Sequence, residues 1–157
     1  MVPFLKGHRV LIAEDEPRVA LDLANAFELA GAETVVVHDL KAALDVARVE
    51  PLSAAVVDVK LKTEISSTLC ALLQCRSIPF IIYTGYPDAA GFNFRACVML
   101  KPNRPEAIVE KFAFIGSEKF SKIGRQTRRT LAERVARSDL PPPQRKRVRP
   151  VFIPKPP

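Results

Sequence analysis

Five short runs rich in valine and isoleucine, each divided from the next by a stretch of helical spacing, confine this chain to few folds. The runs are Arg9–Ala13 (RVLIA), Glu33–Val37 (ETVVV), Leu52–Val57 (LSAAVV), Pro79–Tyr83 (PFIIY) and Ala96–Leu100 (ACVML). Continuous apolar runs of this length read as strands buried on both faces. Between them, Val19, Leu23, Phe27 and Ala30 recur at helical spacing. Pro17 suits the first turn of that helix and Gly31 its stop. Residues 40–49 form a second helix ended before Pro51, residues 65–75 a third, and residues 105–114 a last one with Ile108, Val109 and Phe112 facing inward. Strands that alternate with helices close most simply as a doubly wound α/β domain, a five-stranded parallel sheet of the flavodoxin-like order 2-1-3-4-5. The receptive edge of such a sheet is the rim at the carboxyl ends of its strands.

That rim is where the polar residues fall. The first strand runs into Glu14, Asp15 and Glu16, the third into Asp58, the fourth into Thr84, and the fifth into Lys101 followed by Pro102. Two carboxylates about 4 Å apart repel by roughly 4 kcal/mol at an effective dielectric near 20. A cluster of three therefore calls for a cation, a proton or water. Mg²⁺ suits it, because a hard ion takes oxygen ligands and keeps water and phosphate oxygens in its shell. Asp58 then serves as metal ligand and nucleophile, Lys101 as local positive charge, and Thr84 as hydroxyl donor. These are the parts of in-line phosphoryl transfer. The plainer reading has the three acids capping the helix that follows, with Asp58, Thr84 and Lys101 as ordinary turn or surface residues. His8 and His38 have no ligand-spaced companions and read as surface residues. Tyr83 and Tyr86 read as core or rim packing, and Lys60 and Lys62 as a solvated face.

Over residues 8–115 the motifs VLIAEDE, AAVVDVKL, IIYTGY and VMLKP, in this order, resemble the receiver domain of two-component response regulators. The stretch IPFIIYTGY is similar to a subgroup, many of them stand-alone receivers, whose fourth strand ends Phe-Ala-Thr-Gly. The resemblance implies that Glu14, Asp15, Asp58 and the backbone carbonyl of Lys60 hold Mg²⁺. It implies that Asp58 takes phosphate from a histidine kinase or a histidine phosphotransfer protein, and that Thr84 and Lys101 contact the phosphoryl group. A signalling phosphoacceptor rather than an enzyme is expected, acting by contact with a downstream protein. There are departures. The aromatic that receivers carry three residues before the lysine, and swing inward on phosphorylation, is Val98 here. Asn103 follows Pro102 where an aromatic is common. Only sixteen residues separate Thr84 from Lys101, and Gly85, Pro87 and Gly91 interrupt them, which leaves little room for a fourth helix. These departures favour, as an alternative, an interaction module of receiver fold that does not switch.

The net charge of +7 conceals a division. Residues 1–115 carry 12 Lys/Arg against 14 Asp/Glu, whereas residues 116–157 carry 12 against 3. The basicity belongs to the tail, so the core is not expected to bind nucleic acid. Residues 116–140 read as a weakly amphipathic basic helical extension. Residues 141–157, rich in proline and arginine, read as a disordered or extended tail. Nucleic acid or another anionic surface is a candidate partner for this tail alone, through phosphate contacts. Cys70, Cys75 and Cys97 match no zinc spacing and read as reduced, mostly buried thiols of a cytoplasmic protein. No apolar run reaches membrane-spanning length, and MVPFLKGHRV has no signal-peptide pattern.

Overall fold

A computed structural model of the chain describes residues 4–86, 88 and 94–115. In chain order the elements are β1 (Arg9–Ala13), α1 (Pro17–Leu29), β2 (Glu33–Val37), α2 (Leu40–Val49) and β3 (Ala54–Val57). They continue with β4 (Lys60–Leu61), β5 (Glu64–Ile65), α3 (Ser67–Cys75), β6 (Phe80–Thr84) and β7 (Cys97–Leu100). A helix here called α4 covers residues 105–115. The main sheet is parallel, with order β2-β1-β3-β6-β7, the doubly wound arrangement expected from the sequence. Residues 87 and 89–93, within the stretch between Thr84 and Lys101, and the basic tail, residues 116–140 and 141–157, lie outside the described residues. No described helix is long and apolar enough to cross a membrane.

The central strands are apolar on both faces because both faces are covered. Leu11, Ile12, Val57, Ile81 and Ile82 are among the residues almost wholly withdrawn from solvent. One face packs Leu11, Ala13, Val57, Phe80 and Ile82 against α2 and α3 through Leu40, Ala43, Leu69 and Leu73. Helices α1 and α4 meet through the edge-to-face rings of Phe27 and Phe112, 5.5 Å between centroids. Ile108, Val109 and Phe112 are buried as their spacing predicts. The edge strands depart from the expectation of two-sided burial: β2 and β7 have one neighbour each, and Val36, Val98 and Leu100 stay exposed. The thiols also depart from expectation. All three are free, but only Cys70 is buried, while Cys75 is exposed. Burial pushes the Cys70 thiol up to about 11.

Local chemistry sets where the helices begin and end. Pro17 takes the first turn of α1, where an amide hydrogen has no helical partner. Asp39 caps α2 by accepting from the Ala42 amide at 2.8 Å. Helices α1 and α3 end in the same turn. Ala32 N donates to Phe27 O and Gly31 N to Glu28 O, just as Ile78 N donates to Leu73 O and Ser77 N to Gln74 O. The residue in the left-handed region is Gly31 (φ 94°) in the first turn and Ser77 (φ 55°) in the second. The small antiparallel hairpin of β4 and β5 was not expected; it takes Ile65, where the sequence predicts the start of the third helix.

Candidate functional site

Strand register brings the site together. Ala13 pairs with Val57 across β1 and β3, so Glu14 and Asp58 emerge side by side one residue further out. Val57 is level with Ile82, which sets Tyr83 level with Asp58 and Thr84 one step beyond. Thr84 pairs with Leu100, and the Lys101 amide donates to Thr84 O at 2.9 Å, which starts the turn that carries Lys101 over the rim. Three strands thus deliver their next residues, and β6 its last, to one place, as parallel strands of a doubly wound sheet do.

Lys101 is the hub. Its Nζ donates to Glu14 Oε2 and to Asp58 Oδ2, each at 2.6 Å. Glu14 is only 2% exposed and Asp58 7%, so both bonds are largely shielded from water. Burial raises the Glu14 pKa above its ordinary 4.5, against the hydrogen bond and charge of Lys101. For Lys101, burial pulls the pKa down, but the hydrogen bonds and charges of Asp58 and Glu14 outweigh it, and the net shift is upward. One oxygen each from Glu14, Asp15 and Asp58 lie within 4.8 Å of one another. Three carboxylates beside one ammonium leave an excess of negative charge, and every donor offered is hard oxygen. The residues therefore fit Mg²⁺.

Other predicted residues sit close by. Lys60 lies in β4 with its amide 3.4 Å from Asp58 Oδ1. Thr84 is wholly buried, and its hydroxyl accepts from the Tyr86 amide at 3.2 Å. Pro102 follows Lys101 through a cis peptide bond. Val98 is 37% exposed on β7. Glu16 stands at the N-cap position of α1 without a side-chain capping bond, and its amide donates instead to Glu14 Oε1 at 3.2 Å. Of these three acids Glu14 bonds to Lys101 and Asp15 accepts from the Lys62 amide, while Glu16 makes no side-chain cap of α1.

Several members of the site carry no signal in the sequence. The Lys62 amide donates to Asp15 Oδ2 at 2.8 Å, and its ammonium reaches Asp39 at 3.5 Å. Lys62 adopts φ 57°, the turn of the unexpected hairpin. His38, exposed as expected, nevertheless donates from Nδ1 to Glu14 O at 2.8 Å. The carbonyl can only accept, so the imidazole proton sits on Nδ1. Tyr83 is buried, with its hydroxyl on the Asn103 peptide.

No protein-family profile and no curated protein matches the chain. Solved structures do match. One is a CheY-like response regulator receiver domain protein from Methanospirillum hungatei JF-1, at 21% identity over 73% of this chain and 98% of that one, with TM-score 0.66. The receiver domain of the Francisella response regulator 1452 matches at 20% identity over 71% and 98%, with TM-score 0.62. The chemotaxis response regulator CheY4 of Vibrio cholerae matches at 16% over 69% and 98%, with TM-score 0.60. The fold of this chain is that of CheY-like receiver domains.

Proposed function

We propose that this receiver-fold domain is a signalling phosphoacceptor that takes a phosphoryl group on Asp58. The observation that carries the reading is the Lys101 ammonium held 2.6 Å from both Glu14 and Asp58 at the strand ends, with Asp15 beside them. An Asp58 carboxylate oxygen attacks phosphorus, the bond from phosphorus to the donor breaks, and the donor leaves with that electron pair. The product is an acyl phosphate. Lys101 turns from a carboxylate to the new phosphoryl oxygens, and Thr84 offers its hydroxyl proton to another. Glu14, Asp15, Asp58 and the Lys60 carbonyl would hold Mg²⁺, which supplies positive charge to the transferring group. The donor in this reading is a histidine kinase or a histidine phosphotransfer protein, and output passes by protein contact.

The test is incubation with acetyl phosphate and Mg²⁺ followed by intact mass measurement. The wild type gains one phosphoryl group and Asp58→Asn gains none. Labelling that survives Asp58→Asn refutes the assignment.

A second reading, a receiver-fold contact module that does not switch, draws on Val98 in the aromatic's place and on Thr84, which is closed off from solvent. It expects labelling without a change in amide exchange beyond the site, whereas the first reading expects such a change.

A further inference from the structure

Of the two tyrosines, Tyr86 is exposed and Tyr83 is buried. A buried phenol needs a partner for its hydroxyl. Tyr83 finds both of its partners on one residue: it donates to Asn103 O at 3.1 Å and accepts from Asn103 N at 3.0 Å. A single hydroxyl therefore takes the only backbone donor and the backbone acceptor of Asn103. The Tyr83 ring lies beside Lys101, with Nζ 5.4 Å from the centroid, inside the range of a cation–π contact. The next residue along β6, Thr84, accepts from the Lys101 amide. Two consecutive residues of β6 thus hold the turn at Lys101 and Asn103, and α4 begins two residues later at 105. Val98 is aliphatic and exposed, so the aromatic beside the site lysine comes from β6 rather than β7.

We propose that Tyr83 is a positioning residue that sets Lys101 for the phosphoryl group and passes a change at Lys101 to the turn at 101–104 ahead of α4. This inference rests on the reading of Asp58 as phosphoacceptor. The ring and hydroxyl belong to one rigid plane. When Lys101 leaves the Asp58 carboxylate for a phosphoryl oxygen, its contact with the ring changes, and the hydroxyl end bears on the Asn103 peptide. The residue contributes position and coupling, and it makes no bond to phosphorus.

The experiment compares the full-length wild type, Tyr83→Phe and Tyr83→Leu. The first measurement is amide exchange without phosphodonor. Loss of the hydroxyl in Tyr83→Phe should speed exchange at Asn103 on the order of tenfold, beyond any change at remote core amides. Exchange at Asn103 that follows the remote amides overturns the clamp. The second is the rate of acetyl phosphate labelling with Mg²⁺, at fixed and saturating donor. Tyr83→Phe should lower the maximal rate, and Tyr83→Leu, which also removes the ring, should lower it further. Wild-type labelling with both variants at wild-type rate overturns the inference and leaves the phosphoacceptor reading standing. Wild type that does not label overturns that reading and the inference with it. The third is tyrosine emission in Tyr86→Phe, where Tyr83 is the single tyrosine and the chain has no tryptophan. Emission should change on labelling and stay fixed in Tyr86→Phe/Asp58→Asn. Emission that is indifferent to labelling overturns the coupling.

Discussion

The two sides of the rim are built differently. On the acid side, β1 and β3 pair with each other, each has a neighbour on both edges, and their last residues are fully buried. Glu14 and Asp58 are fixed by where those strands stop. On the lysine side, β7 has one neighbour and alternates between half-buried and exposed residues. Lys101 owes its place to bonds from β6: Thr84 O to its amide, the Tyr83 ring to its ammonium, and the Tyr83 hydroxyl to the peptide two residues on. Three carboxylates can be brought together only by a rigid frame, because they repel. A single ammonium attracted by two of them needs less frame and more tethering. The acid side should therefore respond to substitution through charge, and the lysine side through lost tethers.

The largest expected effect comes from removing the charge that joins the sides. Lys101→Met leaves Glu14 and Asp58 facing each other in a shielded site, and stability at pH 7 should fall by up to about 3 kcal/mol. The deficit depends on pH. Burial raises the Glu14 pKa above 4.5, so the folded state holds that proton more tightly and stability falls as pH rises from 4.5 through the folded value. In Lys101→Met the shift grows, and the deficit should shrink toward pH 4.5, where protonated Glu14 needs no counter-ion. At the alkaline end the Lys101 pKa is raised above 10.5. Its contribution is fully present below 10.5 and is lost as pH climbs through the higher folded value. The wild type should weaken there and the variant should not. Urea melts from pH 4 to 11 measure both arms, and a deficit that is flat across this range breaks the charge account of the acid side.

How much of this could be read from the sequence follows the same division. Strands β1, β3 and β6 were legible because central parallel strands are apolar without interruption, and the residue after each run is the site residue. Helix α1 announces its start with Pro17, whereas the Asp39 cap of α2 emerges from the structure. Edge exposure of Val36 and Val98 was not legible, since an edge run of valines has the same composition as a central one. The β4–β5 hairpin was missed because Lys62 gives no glycine signal for its positive φ. Its amide bond to Asp15 joins residues 47 apart through backbone, which side-chain identity does not encode. Tyr83 was readable as buried, but its hold on Asn103 depends on a fold that places them side by side.

A smaller effect tests a tether. The Thr84 hydroxyl accepts from the Tyr86 amide within a buried site. Thr84→Val keeps the shape and removes the acceptor, which should cost about 1 kcal/mol by urea melt. If Thr84 also serves the phosphoryl group, acetyl phosphate labelling should slow by more than the stability loss explains. Lys62→Gly offers a control on the acid side. It keeps the amide bond to Asp15, relieves the positive φ and gives up only a surface ion pair, so the net change should stay within about 1 kcal/mol.

The smallest effect concerns how each side is entered. Helices α1 and α3 close with matching hydrogen bonds before β2 and β6, but the left-handed residue is Gly31 in one and Ser77 in the other. A serine there bears a Cβ penalty that glycine avoids, and φ 55° is already the conformation the turn demands. Ser77→Gly should therefore raise stability, by about 0.5–1 kcal/mol after the added freedom of the unfolded glycine is counted. The reverse change, Gly31→Ser, should lower it by a similar amount. Equal and opposite shifts in thermal melting would show that the two turns are energetically alike and that the sides differ only at the rim. A loss on Ser77→Gly would mean that the serine side chain supports the entry to β6, extending the tethering of the lysine side to the start of its strand.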